Sequence, residues 1–340
     1  MKTNVSLSDI ANALGVSKTL VSMVLNNKAD ASGISKQTQK RVLKYAKEMN
    51  YKPNLMARGL RMGVTNTIGL VVSDIANPFY SKMARFMEDK LSKENYHLVI
   101  CSTDEDMEKE KKIIRLMREK QFDGIIISSS QKKSDDFKQL IREDYPFVLI
   151  DRKVRGVRTN FVGIDNYDST CHAMQHLIKA GYKKIAAFAV SPAYVSSIKE
   201  RISGYQAALK DAGLINPEKL LIEIPFDEVK QSVKKEIIKL TQPDSKIDAL
   251  FAINNNIAVA CLEAFHDLEI KVPQDLAFIA FDDIDAFKLT TPQVTAIDQP
   301  LEEICSHAVR ILMNEINKPK KVKKEVILEP TLIIRESVHL

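Results

Sequence analysis

From Thr67 onward, short apolar runs alternate with amphipathic stretches, and this alternation constrains the fold more than any other feature. The runs are Ile68–Val72, Leu98–Cys101, Gly124–Ser128, Phe147–Asp151, Ile185–Val190, Leu220–Ile224, Ala249–Ile253 and Ala277–Phe281. Between them lie stretches with helical spacing of apolar residues, among them Phe79–Asn95, Glu105–Lys120, Asp168–Ala180, Ser197–Ala212, Val229–Leu240 and Asn256–Leu268. Strands alternating with helices predict parallel α/β sheets. The runs divide into two sets, which suggests two Rossmann-like lobes.

The first sixty-odd residues follow a different rule. Ser6 with Asp9 makes a capping-box start, and Leu7, Ile10, Ala11 and Leu14 share one helical face. Gly15 breaks the helix. Ser17 caps a second one, whose inner face is Leu20, Val21, Val24 and Leu25. Two short helices joined by a Gly-containing turn describe a helix-turn-helix, and an ordinary helical hairpin is the other reading of the same pattern. The second helix leaves Lys18, Thr19, Ser22 and Met23 outward, at the end that a recognition helix presents to base edges. Ser35 can cap a third helix to Met49, with Val42, Ala46 and Met49 inward.

Charge favours the DNA-binding reading. Residues 1–63 carry eight Lys and three Arg against Asp9, Asp30 and Glu48, a net +8, whereas the whole chain is +6 and the remainder therefore −2. Such confinement is the electrostatic footprint of a phosphate binder. Between head and body, Tyr51-Lys-Pro-Asn leads into Leu55–Leu60, too short and too Gly-interrupted to be a helix unaided. Leu60 could wedge into a minor groove, with Arg58 and Arg61 near phosphates; a plain linker is the alternative.

Composition excludes other classes. There is no apolar run near the length of a membrane span and no signal-peptide h-region, so a cytoplasmic protein with no membrane partner is expected. Cys101, Cys171, Cys261 and Cys305 are widely spaced, without CxxC, as suits reduced thiols. No GxGxxG, GxxxxGK[ST] or GxSxG motif is present, and HAMQH at His172 and His176 is not HExxH. No catalytic constellation, cofactor or metal site is therefore expected.

At the carboxyl ends of the predicted strands, where ligands bind in open α/β sheets, stand Asp74, Asp151, Asn254 and Asp282, with Arg201 opening a helix. Carboxylates accept from vicinal hydroxyls, a guanidinium offers a donor fork, and Phe79 and Phe226 could cover the face of a ring. Acidic strand ends favour a neutral polyol or sugar over a polyanion.

The segments VSLSDIANALGVSKTLVSMVLN and YKPNLMARGLRMG resemble the LacI/GalR family of bacterial repressors. GLVVSDIANPFY, FVLIDR, GYKKIAAFA, ERISGYQAAL, FAINNN, FIAFDDID and VTAIDQP resemble the same family in order and spacing. The resemblance implies a helix-turn-helix domain over residues 1–52, a hinge helix and linker over 53–65, and an effector-binding, dimerising core of periplasmic-binding-protein type over 66–340. It implies crossovers near Asn166, Pro292 and Lys324, giving lobe 1 as about 66–165 and 293–324 and lobe 2 as about 166–292 and 325–340. It places DNA contacts at Ser6, Ser17, Lys18, Thr19, Ser22, Met23 and Asn26, and on the hinge at Asn54, Ala57, Arg58, Leu60 and Arg61. It places effector contacts at Asn77, Phe79, Arg201, Asn254 and Asp282; Asp151 and Phe226 are carried over as well, and Asp74 is added from its strand end. The implied function is a homodimeric, sequence-specific repressor on a near-palindromic double-stranded operator, controlled by a sugar or sugar derivative. A solute-binding or sugar-processing α/β protein with an incidental N-terminal bundle is the competing reading.

Two residues depart from the family pattern. Met23 stands where Arg is common, and Met cannot make the bidentate bond to guanine. Asn255 stands where Asp is common.

Overall fold

A computed structural model describes residues 5–51, 64–214, 217–318 and 322–339. The chain forms two compact units, Met1–Thr65 and Asn66–Leu340. In the first unit, α1 (Leu7–Leu14), α2 (Lys18–Leu25) and α3 (Lys36–Glu48) enclose Ile10, Ala11, Val21, Val24, Val42 and Ala46. The capping box forms: Ser6 Oγ accepts from the Asp9 N–H, and the Asp9 carboxylate accepts from the Ser6 N–H at 2.8 Å. Gly15 ends α1 in the left-handed region at φ 63°, which a side chain would resist. Ser17 and Ser35 cap the next two helices through Leu20 and Thr38 N–H groups.

Met49 is a correction: it is 42% exposed rather than inward. The helix has already ended at Glu48, and a Tyr51 N–H bond to the Ala46 carbonyl at 2.8 Å turns the chain so that Tyr51 packs on this core. The polar loop after α2 also contributes more than its composition suggests, since Ala29 is buried in the same cluster.

The second unit holds two six-stranded sheets, ordered β11-β5-β4-β3-β1-β2 and β12-β10-β9-β8-β6-β7. In the first sheet, β1 (Thr67–Val72), β2 (His97–Ser102), β3 (Gly124–Ile127), β4 (Phe147–Ile150), β5 (Phe161–Ile164) and β11 (Glu325–Leu328) all run parallel. In the second, β6 (Ile185–Val190), β7 (Leu221–Ile224), β8 (Ala249–Ala252), β9 (Ala277–Phe281) and β10 (Thr295–Asp298) are parallel, and β12 (Thr331–Ile333) returns antiparallel beside β10. Strands β3, β4, β6, β8 and β9 are buried along their whole length, which accounts for their unbroken apolar runs.

The first crossover falls at Asp165, between β5 and helix Asn166–Lys179; the other two lie elsewhere than near Pro292 and Lys324. Thr295–Ile297 pair with Ile279–Phe281 in the second sheet, so the chain leaves that lobe after Asp298, not near Pro292. Helix Leu301–Asn317 then packs on the first lobe, against helix Pro78–Lys93. Glu325–Leu328 still pair with Phe161–Ile164, so the return to the second lobe comes at Glu329-Pro330, not near Lys324. Pro330 has no N–H to give a ladder, and it divides Val326–Ile334 into one strand for each lobe.

Helix Ser196–Asp211, which carries Arg201, is seated on helix Asn166–Lys179 through Gly204. A Cβ there would lie 2.5 Å from the Tyr167 carbonyl oxygen. Gly204→Val therefore forces the helices apart, with an expected loss of about 1–3 kcal/mol in denaturant unfolding.

Candidate functional site

On the N-terminal unit, Ser6, Ser17, Lys18, Thr19 and Asn26 are exposed, whereas Ser22 and Met23 are half-buried. The Asn26 side chain donates to the Ser22 carbonyl at 2.7 Å and closes α2. The hinge candidates Asn54, Ala57, Arg58, Leu60 and Arg61 lie outside the described residues.

In the second unit, strand ends and helix starts from both lobes converge on one cavity. All the effector candidates line it: Asp74, Asn77, Phe79 and Asp151 from the first lobe, and Arg201, Phe226, Asn254 and Asp282 from the second. Its volume is about 40 Å³, against the roughly 300–1,000 Å³ of ordinary ligand pockets. Admitting a sugar ring requires the lobes to part.

Arg201 is 3% exposed and held from several sides. Its Nε donates to Asn166 Oδ1 at 2.8 Å, and one terminal nitrogen donates to the Ile253 carbonyl at 2.9 Å. The same nitrogen stands 3.8 Å from Asp282 Oδ2, and the guanidinium lies 3.5 Å from the centre of the Phe281 ring. Asp282 accepts from Gln299 Nε2 at 2.6 Å and holds φ 70°, a strained turn that aims its carboxylate into the cleft. Asp283 faces away and pairs with Arg335 at 2.7 Å, as alternation along a strand end requires. Asn254 caps helix Asn255–Asp267 through the Ile257 N–H at 2.9 Å while still lining the cavity, so its capping and cleft-facing roles coexist.

On the opposite wall, Asp151, also at positive φ, accepts from Tyr80 Oη and Ser128 Oγ, both at 3.0 Å. Arg152 lies buried beside it and grips Glu105 with two bonds of 2.7 Å. Burial alone would raise the Glu105 pKa, but the Arg152 charge and the bonds from Arg152 and Ser130 outweigh it and hold the carboxyl below its ordinary value. Tyr80, Glu105, Arg152 and Ser197 are cavity residues that sequence reasoning missed. The strand-end rule could have found Glu105, three residues past β2, and Arg152, next to Asp151.

Asp282 shifts the other way: burial raises its pKa against the pull of Arg201 and Gln299. Ionising it therefore costs folding free energy in full above the raised value, and that cost declines as pH falls from there and is gone below the ordinary carboxyl pKa. Asn tolerates positive φ and carries no charge. Asp282→Asn removes that cost but leaves the buried Arg201 guanidinium without its anion, so its melting temperature should vary less with pH than the wild type's between the ordinary and the raised carboxyl value, which calorimetry across pH resolves.

His172 is exposed and His176 half-buried, and among the described residues no group of three or more His, Cys, Asp or Glu is placed to hold a metal. No helix of the described residues is long and apolar enough to cross a membrane.

Residues 6–54 match the model for bacterial regulatory proteins of the lacI family, and residues 174–338 match a periplasmic binding protein-like domain. The chain is 33% identical to the HTH-type transcriptional regulator DegA of Bacillus subtilis (strain 168), covering 99% of this chain and 98% of the relative. It is 31% identical to the HTH-type transcriptional repressor PurR of Aliivibrio salmonicida (strain LFI1238), over 98% and 99% of the two chains. A solved complex of the transcriptional regulator CelR with cellobiose superposes with a TM-score of 0.71 at 27% identity, over 98% of this chain and all of that one. The protein belongs to the lacI family: it is a DNA-binding transcriptional regulator whose second unit is a periplasmic-binding-protein-like effector domain.

Proposed function

We propose that this regulator is a repressor that grips a near-palindromic operator as a homodimer and changes that grip when a neutral sugar enters the cleft. The observation that carries the reading is the convergence of Asp151, Asn254 and Asp282, from three strand ends, and of Arg201, from the second turn of helix Ser196–Asp211, on one cavity shared by the two lobes. Carboxylates of Asp74, Glu105, Asp151 and Asp282 outnumber the guanidinium groups of Arg152 and Arg201, which disfavours a phosphorylated ligand. Solved CelR holds cellobiose, in keeping with a sugar-sized guest.

Lys18, Thr19, Ser22 and Met23 would read the major groove, with Ser6, Ser17 and Asn26 near the backbone. The hinge residues Asn54, Ala57, Arg58, Leu60 and Arg61 would open the minor groove between half-sites. With Met at 23, half-site letters cannot be borrowed from relatives that carry Arg. A second copy suits the apolar side chains left on the body: edge strand β2 exposes Val99 and Ile100, and Leu289 is 85% exposed.

The test is a thermal-shift screen of mono- and disaccharides, cellobiose included, beside their phosphates. A ligand at 100 times its Kd adds about 2.7 kcal/mol. A neutral sugar that raises the melting temperature, with its phosphate inert, supports the reading; stabilisation by phosphates alone overturns it.

A further inference from the structure

Two side-chain amides, one from each lobe, bond each other across the cleft. Asn77 caps helix Pro78–Lys93 in the first lobe, and Asn255 opens helix Asn255–Asp267 in the second. Asn77 Oδ1 accepts from the Phe79 N–H at 2.9 Å. A backbone N–H can only donate, so this bond fixes which end of the Asn77 amide is oxygen. Its Nδ2 then donates to Asn255 Oδ1 at 3.0 Å, and Asn255 Nδ2 donates back to Asn77 Oδ1 at 2.7 Å. Asn255 is 1% exposed, and its backbone N–H bonds the Asp282 carboxylate. The Tyr194 Oη also donates across the lobes to the Ser130 carbonyl at 2.8 Å, and the Lys153 N–H to Ser196 Oγ at 2.7 Å. Unlike these, the amide pair is matched donor to acceptor in both directions.

We infer that Asn77 and Asn255 form a neutral clasp by which the chain holds its own cleft shut, so that an effector enters only when this pair parts. The inference rests on the cleft being the effector site. The chemistry of the pair explains why position 255 carries an amide. A carboxylate there offers acceptors only. One oxygen could take the Asn77 Nδ2 bond, but the other would face Asn77 Oδ1, which its cap has already committed as an acceptor. It would also add a second buried negative charge beside Asp282. Asn255→Asp is nearly isosteric, so it opens the clasp without creating a void. Asn77→Asp is the matching change from the other lobe: it keeps the cap on Phe79 and still removes one of the two crossing bonds.

The experiment is hydrogen exchange by mass spectrometry at neutral pH on the full chain and both variants. Peptides covering residues 74–82 and 253–258 should exchange at least fivefold faster in both variants, while β6 and β8 keep the wild-type rate. Unchanged exchange at the cleft in both variants overturns the clasp. Acceleration spreading to β6 and β8 also overturns it, because the pair would then hold the fold rather than the cleft. A saccharide screen in which no sugar stabilises the wild type would instead overturn the effector reading, and the exchange rates would still decide the clasp.

Discussion

Deleting residues 1–63 will abolish DNA binding and leave sugar binding by the remaining body unchanged. That segment carries a net +8, against +6 for the whole chain, and the rest is close to neutral. Phosphate contacts supply most of the affinity of such a head, and each neutralised phosphate releases counterions. Full-length protein should therefore lose about 10³- to 10⁵-fold in affinity between roughly 50 and 200 mM salt if six to ten phosphates are contacted. Fluorescence anisotropy on an operator fragment reads both effects. A flat salt response, or DNA retained by the truncated chain, would mean that the helix-turn-helix does not carry binding.

The second large effect belongs to Arg201. Its guanidinium reaches Asn166, the Ile253 carbonyl, Asp282 and the Phe281 ring at once. Arg201→Ala leaves two buried acceptors without their donor, at about 1–3 kcal/mol each, so the body will melt earlier. It also removes the donor fork that the second lobe turns to the cavity. The expected result is complete loss of the sugar response with DNA affinity in the absence of sugar kept, because the reading head is a separate compact unit. Loss of both together would assign Arg201 a role in holding the fold only. Arg201→Lys sharpens the test: it keeps the charge but not the planar fork, and the response should remain lost.

Much of this architecture was legible from residue patterns because the cues are local. Capping serines, Gly15 and period-2 or period-3.6 apolar spacing act within a few residues, and the helices and strands expected from them lie within a residue or two of their expected ends, whereas helices Asp135–Arg142 and Leu301–Asn317 were not anticipated. Strands β5 and β10 escaped notice. Phe161–Ile164 contains a Gly, and Thr295–Asp298 ends on a charge, so neither forms a long apolar run. The shifted crossovers show a different limit. Which sheet a strand joins depends on partners more than a hundred residues distant, as with Glu325–Leu328 beside Phe161–Ile164. The same holds for the site. Asp151, Asn254 and Asp282 announce themselves by standing at strand ends. The grip of Arg152 on Glu105 exists only because β2 and β4 lie in one parallel sheet, with their carboxyl ends on one side. The Asn77–Asn255 pair needs both lobes and was visible beforehand only as an unusual amide at 255.

If a sugar-sensing body controls a DNA-reading head, the operator Kd of the full chain will differ with and without a saturating sugar taken from the thermal-shift screen. The expected change is about 5- to 150-fold, the 1–3 kcal/mol typical of coupling between two sites. A sugar that stabilises the protein but leaves the operator Kd unchanged would contradict it.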